Sequence, residues 1–494
     1  MKKARKFLLN TIILTGTSML LRTVGVSFTI YISNKVGSEG VGVYQLLISV
    51  YSFAVTMATA GIGLTSTRMV ADQLVRGSPA GARSAVRKCF AFSLLCSLAA
   101  SALLFFGADA ITAAWFHGKV SSLPLEVLSV SLPFMAVAAV LSGYFTAVRR
   151  VVKSASAQIL EQFVHIGVAV ALLTWVAPAG IEPACLSLVV GGALSEICSC
   201  LYLFILYRLD QRRLRTGGQP ATATMRRILS IALPVGLSSL VRSGINTFKQ
   251  VMVPIRLEKH GVSCDLALSQ YGVIRGMVMP VLQFPSALLA SFSSLLIPEI
   301  TENDIQGRGG HINYMVGRIF KTTLLFSVCV GGILFTYADE LSYAIYQDAQ
   351  VARFLRLLAP IVIIMYLDDI VDAILKGLDQ QSRLAGINIL ESVLSAILLW
   401  VLLPHVGIYG YLIVLYFSEI LNGSLSILCL IRTTHFRLRW FGWLAVPVAC
   451  IYCACTITRR LIPQGVVCSI VFAVCLYLLM LYALGQVSRG DFRI

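Results

Sequence analysis

Apolar residues in this chain fall into long unbroken runs, and short polar stretches separate each run from the next. The first extends from Leu8 to Ile32 with one charge inside it, Arg22. An α-helix rises about 1.5 Å per residue, so about 20 apolar residues cross the roughly 30 Å hydrocarbon layer of a bilayer. Fourteen runs approach that length. They predict spans over 8–32, 43–63, 89–115, 124–148, 158–177, 185–207, 228–252, 269–297, 319–338, 354–377, 384–404, 408–431, 443–462 and 465–485. Spanning β-strands would be about ten residues long and alternate in polarity, and these runs do neither. The predicted fold class is all-α, a polytopic membrane protein without a soluble domain.

Composition agrees with that reading. The 494 residues are 57% hydrophobic and 13% charged, against about 25% charged in soluble domains. The basic N-terminus, M-K-K-A-R-K-F, leads into an apolar run too long for a cleaved signal, and no small-x-small site closes it. A retained first helix is expected. Most of the thirteen cysteines lie inside apolar runs, including C-I-Y-C-A-C at 450–455, where buried cysteine acts as a small hydrophobe. The chain has no G-x-x-x-x-G-K-[ST], no H-E-x-x-H and no assignable Ser-His-Asp set. No enzymatic activity, cofactor or metal is expected.

Lysine and arginine orient the spans. With both termini inside, 28 basic residues fall at the inner ends and loops and 8 in the outer loops. The outer eight are Lys35, Lys119, Arg256, Lys259, Arg353, Arg356, Arg459 and Arg460. This bias, with attraction to anionic membrane lipids, accounts for the net charge of +17. Nucleic acid is not an expected partner. The predicted location is the cytoplasmic membrane, multi-pass, with both termini cytoplasmic.

The chain also repeats. S-M-L-L-R-T at 18–23 returns as S-S-L-V-R-S at 238–243, Q-I-L-E at 158–161 as N-I-L-E at 388–391, and S-E-I at 195–197 as S-E-I at 418–420. Three weak matches in one order, each in the corresponding span, predict two six-helix lobes related by a pseudo-twofold axis along the membrane normal. The expected divisions are an N-terminal lobe over 1–215, a C-terminal lobe over 216–440 and an extra helix pair over 441–494. Parallel repeats of this kind place substrate between the halves.

Four basic residues remain inside the spans: Arg22, Arg242, Lys249 and Arg275. Lys249, near an outer end, can snorkel to the interface. Arg22 and Arg242 lie near the midplane, where each costs about 2.5–3.5 kcal/mol to insert. Two explanations stand. One is structural pairing with a membrane acid, for which Glu161, Glu196, Asp368, Asp369, Asp372, Glu391 and Glu419 are candidates. The other is a water-filled cationic cavity. Guanidinium binds phosphate through bidentate, charge-assisted hydrogen bonds, so such a cavity implies an anionic substrate such as a pyrophosphate. Glu196 and Glu419, near mid-helix and repeat-related, are either packing groups or ion-coupling sites. Pro133, Pro234, Gly236, Gly244, Pro280, Pro285 and Pro360 interrupt the spans and suit bending during alternating access.

L-L-R-T-V-G at 20–25, E-G-V-G-V-Y at 39–44, G-Y-F-T at 143–146 and I-L-E-Q at 159–162 resemble the stage V sporulation protein B family. That family belongs to the multidrug/oligosaccharidyl-lipid/polysaccharide exporter superfamily. The resemblance implies a flippase of that fold. It would move a polyprenyl-pyrophosphate-linked saccharide, lipid II-like peptidoglycan precursor or polysaccharide repeat unit, from the inner to the outer leaflet during spore or wall synthesis. It further implies a lipid-linked oligosaccharide as binding partner, with cell-wall synthesis enzymes as further partners. Related lipid II flippases line their cavity with an arginine in the first helix and one in the eighth. Arg22 and Arg275 match those places, and the substrate set becomes Arg22, Arg242 and Arg275. The further arginine of those flippases, six residues after the first, is Phe28 here. A fourteenth span also fits lipid flippases, since drug exporters of the superfamily usually have twelve. The other readings are a sodium- or proton-coupled small-molecule exporter of the same fold and a membrane scaffold for wall or coat assembly.

Overall fold

A computed structural model of the chain describes residues 2–59, 61–76, 78–115, 121–176, 180–213, 225–434, 440–461 and 465–486. Of the basic residues assigned above, Lys119, Arg215, Arg437, Arg439, Arg489 and Arg493 lie outside the described residues. The described residues are almost wholly helical and contain no strand. The chain divides into two compact units, Met1–Gly272 and Val273–Ile494.

The first unit holds α1 (Lys2–Thr59), α2 (Ile62–Val75), α3 (Pro79–Trp115), α4 (Leu123–Ala147), α5 (Val151–Val176), α6 (Ile181–Arg213), α7 (Met225–Lys259) and α8 (Cys264–Gly272). α1 is two helices joined at Gly37, whose φ of 77° and ψ of 172° interrupt the helix. The second unit opens on a π-helical turn, Val273–Val278, then α9 (Met279–Gln283), α10 (Ser286–Ile305), α11 (Gly309–Thr336), α12 (Ala338–Tyr346) and α13 (Ala349–Leu358). A 3-10 turn, Ala359–Ile361, precedes α14 (Val362–Gly377), α15 (Gln381–Val406), α16 (Ile408–Thr434), α17 (Trp440–Leu461) and α18 (Val466–Ala483).

Among the described residues, eleven helical stretches are long and apolar enough to cross a membrane. The first, Gly16–Val75, runs through two of the predicted spans. Predicted spans 269–297 and 354–377 fall instead on interrupted helices. The physical reason is proline, which lacks an N–H and clashes with the carbonyl four residues back. Pro280 and Pro285 break the first of these segments, and Pro360 sits in the 3-10 turn of the second. The protein is a multi-pass membrane protein.

Helix crossings in the first unit depend on close backbone approach. Gly42, inside the E-G-V-G-V-Y motif, faces Gly272 where α1 crosses α8. A Cβ at Gly42 would lie 2.1 Å from the Leu268 carbonyl oxygen, and one at Gly272 would lie 2.0 Å from that of Ser38. The Ser38 and Ser269 hydroxyls meet at 2.7 Å in the same crossing.

The internal repeat extends to turn geometry. Between α4 and α5, Val148, Arg149 and Arg150 donate their backbone N–H groups to the carbonyls of Tyr144, Thr146 and Phe145. Between α14 and α15, Leu378, Asp379 and Gln380 donate to Ile374, Lys376 and Leu375. Each position is offset by 230, the offset of the Q-I-L-E and N-I-L-E match. Arg149 and Asp379 both carry a φ of 57°, a left-handed value uncommon for residues other than glycine. Thr67 Oγ1 lies 3.1 Å from the Gly143 carbonyl oxygen in one unit, and Thr301 Oγ1 lies 2.9 Å from that of Gly377 in the other.

Candidate substrate and ion sites

In the first unit, Ser239, Arg242, Ser243, Asn246 and Gln250 recur along α7 at spacings of three and four residues. That spacing gathers them into one stripe. Ser52, Thr56 and Thr59 form a matching stripe on α1. The two stripes line one cavity of about 420 Å³. Thr247 Oγ1 donates to the Ser49 carbonyl at 3.0 Å and Thr56 Oγ1 to Ser243 Oγ at 3.1 Å, tying the helices together. Arg242 is exposed into this cavity, and no carboxylate pairs with it among the described residues. A guanidinium with its donors uncommitted, surrounded by hydroxyls and amides, can take an oxyanion.

The other sequence-predicted arginines sit elsewhere. Arg22 is exposed on α1, engaged in its own contacts, and does not line the Arg242 cavity. Arg275 is half-buried in the π-helical turn at the start of the second unit. Phe28 is only 7% exposed, and its ring meets that of His165 on α5 edge-on at 5.1 Å. Lys249 is half-buried and engaged in contacts of its own.

A second cavity of about 230 Å³, also within the first unit, is acidic. Glu161 of α5 and Glu196 of α6 line it with Gln158, Ser199 and Thr59. Thr59 borders both cavities. The buried Tyr51 hydroxyl lies 2.7 Å from Glu196 Oε1 and 2.6 Å from Oε2, and 2.7 Å from Ser131 Oγ. A phenol donating to a carboxylate is a charge-assisted bond, roughly twice as strong as a neutral one. The repeat-related acids of the second unit are set differently. Glu391 is buried, and its carboxylate accepts from Ser392 Oγ at 3.0 Å and from Ser418 Oγ. Glu419 is half-buried on α16 and has contacts of its own. Sequence reasoning named Glu196 but missed Tyr51 and the α1 stripe. The stripe was legible in its four- and three-residue spacing, whereas the tyrosine carries no such signal.

Residues assigned to different inner loops meet at one end of the first unit. Asp210, 1% exposed, pairs with Arg150 and with Lys153 at 3.2 Å, and accepts from the Tyr144 hydroxyl at 2.9 Å. Asp72 pairs with Arg76 at 3.3 Å and with Arg227 at 3.2 Å, and Arg83 Nη2 donates to the Gln211 carbonyl at 3.2 Å. Ser121 N–H, from a segment assigned to the outer side, donates to Glu182, also assigned there.

A multi-pass helical protein with polar cavities inside its membrane unit has the construction of a transporter. The chain belongs to the polysaccharide biosynthesis protein family, whose profile matches residues 7–304. It is 27% identical over 419 residues to stage V sporulation protein B of Bacillus subtilis (strain 168), covering 82% of this chain and 79% of that protein. It is 21% identical over 406 residues to the lipid II flippase MurJ of the same organism, covering 76% and 73%. Its fold matches a structure of lipid II flippase MurJ in an inward closed conformation, with a TM-score of 0.65, 14% identity, and 96% and 99% of the two chains covered. An inward-facing multidrug transporter of the MOP superfamily matches with a TM-score of 0.62, 15% identity, and 84% and 95% covered. The chain is thus a member of the polysaccharide biosynthesis protein family whose fold is that of a lipid II flippase and of a multidrug transporter of the MOP superfamily.

Proposed function

We propose that this protein is a flippase that carries a polyprenyl-pyrophosphate-linked saccharide from the inner to the outer leaflet by alternating access. The observation that carries the reading is the polar cavity of the first unit, in which Arg242 is exposed with no carboxylate paired to it among the described residues. An uncompensated guanidinium in a membrane unit is costly, and a pyrophosphate offsets that cost through charge-assisted bonds. Arg22 and Arg275 complete the proposed set of phosphate contacts along the path. In this reading 1–215 and 216–440 act as the two lobes, 441–494 as the added pair, and both termini are cytoplasmic. The named relatives favour a wall or spore precursor as the saccharide, with cell-wall synthesis enzymes as partners.

The test is Arg242→Ala, scored for membrane abundance and for translocation of a lipid-linked sugar in proteoliposomes. Abundance should be unchanged. Binding should weaken roughly 10- to 150-fold, from the loss of about 1.5–3 kcal/mol per charge-assisted contact. Arg242→Lys should restore only part, because the fork is lost. Normal translocation in Arg242→Ala would overturn the reading. The acidic cavity beside Thr59 favours a second reading, a sodium- or proton-coupled exporter of small molecules using Glu196 and Glu419. Translocation of a small cation, with none of the lipid-linked sugar, would select it.

A further inference from the structure

Arg275 stands in an unusual piece of backbone. It lies inside the π-helical turn Val273–Val278, and α9 follows directly. Such turns are rare and occur frequently at functional sites. Each takes about one residue more than an α-turn, which is about 100° of helix rotation. A side chain inside the turn therefore points where an α-helix would not send it. Pro280 favours the widening, because it has no N–H to give to the carbonyl four residues back, that of Gly276. Two buried tyrosines hold it. The Tyr346 hydroxyl, from the end of α12, donates to the Met277 carbonyl at 3.1 Å. The Tyr366 hydroxyl, from α14, donates to the Leu282 carbonyl at 2.7 Å. A side chain inserted into the carbonyl ladder is one of the few causes that open a helix. Tyr346 inserts within the π-turn itself, and Tyr366 beyond Pro280.

Arg275 is half-buried, and among the described residues no carboxylate pairs with it. Its charge reaches the buried phenol of Tyr411 on α16. A guanidinium so placed keeps its donors for an oxyanion. Its donors form a rigid planar fork, which binds only from the direction it faces. The rotation of the turn therefore decides whether Arg275 is of use. Tyr346 is well supported for fixing that rotation, since α12 packs on α13 and α13 packs on the π-turn.

We propose that Tyr346 is a positioning residue for Arg275: its hydroxyl holds the π-turn open and so fixes the direction from which the guanidinium meets the substrate phosphate. This role rests on Arg275 being one of the phosphate contacts proposed above. Without the hydroxyl, the Met277 carbonyl returns to the helical ladder and the turn narrows towards an α-helix. Arg275 then swings by part of a turn and loses the phosphate, although its own side chain is intact. Tyr346 touches no substrate. It acts through a backbone carbonyl 69 positions away in the chain.

The test measures binding of a long-chain polyprenyl pyrophosphate, without saccharide, to the purified full-length protein in detergent, with the melting temperature recorded alongside. Arg275→Ala should weaken binding about tenfold or more, the scale of one charge-assisted contact. Tyr346→Phe should weaken it about as much. In the Arg275→Ala background it should add nothing, because both changes act through the same guanidinium. Additive losses in the double variant would overturn the proposal and leave Arg275 as a contact. So would a Tyr346→Phe protein that melts lower but binds normally, the mark of a purely structural tyrosine. Normal binding in Arg275→Ala would instead remove Arg275 from the phosphate contacts, and the positioning role with it. Pro280→Ala carries the test should Tyr346→Phe fail to fold. It restores the missing N–H, so it should hold or raise the melting temperature and still weaken binding, again with no further loss in the Arg275→Ala background. Parent-like binding in Pro280→Ala would then overturn the proposal.

Discussion

Phe28 illustrates how one residue separates this chain from the lipid II flippases it resembles. At the place where that resemblance expects a second arginine in the first helix, a 7%-exposed ring packs on His165. The site is therefore built as core. Phe28→Arg should not create a stronger phosphate site. It should bury a guanidinium beside an imidazole, lower membrane abundance and leave translocation per molecule no better, as quantitative blotting with a transport assay would show. Tyr51 is the opposite case, a polar group held inside an apolar helix by what it meets. Tyr51→Phe removes the donor shared by Glu196 and Ser131. It should cost about 1–3 kcal/mol, read as a lower melting temperature of the purified protein. Glu196→Gln, made in the Tyr51→Phe background, should recover much of that loss, because a neutral amide is cheaper than a carboxylate to leave short of partners.

Helix breaks and helix crossings follow from glycine and proline. Proline positions were legible in the sequence, and the interruptions at 273–286 and 359–361 fall where they stand. Hydropathy, which averages over a window and does not register a missing N–H, placed whole spans over those stretches, while Pro280, Pro285 and Pro360 marked where they are interrupted. The Gly42 and Gly272 crossing was not legible at all, since it joins positions 230 apart. Gly42→Ala should force α1 and α8 apart. A methyl group cannot sit 2.1 Å from the Leu268 carbonyl oxygen. An overpacked crossing costs about 1–3 kcal/mol. The expected readout is reduced thermal stability, and an unchanged melting curve would show that the two helices are not in this contact.

For the whole molecule, the charge of the loops sets the expected orientation. Single cysteines at Glu182 and Gln347, in a background with the native cysteines removed, should react with a membrane-impermeant reagent in intact cells. Cysteines at Arg76 and Arg308 should react only after the membrane is opened. The reverse pattern would invert the topology and the direction of transport with it. The ion pairs that join Asp72 to Arg227 and Asp210 to Arg150 already place segments assigned to one side together, so the first unit should label as a block.

The sequence alone determined the membrane class, the position of most spans, the basic end of the loops and the internal repeat. All of these are properties of single segments. The bilayer acts on each run separately through its length and polarity, and flanking lysine and arginine act on each loop. Arg242 and Glu196 could be named as candidates for the same reason, because a charge inside an apolar run is visible without its neighbours. Only the tertiary structure decided what those residues face. Hydropathy sets how deep a helix sits but not how it is rotated about its axis, and rotation is what brings the α1 and α7 stripes onto one cavity. The same holds for Tyr51 against Glu196, 145 positions away, and for Asn422 against Asp368, 54 positions away. Those pairings depend on which faces pack, and that is settled by interdigitating side chains and close glycine contacts between helices, which leave no local trace in the chain.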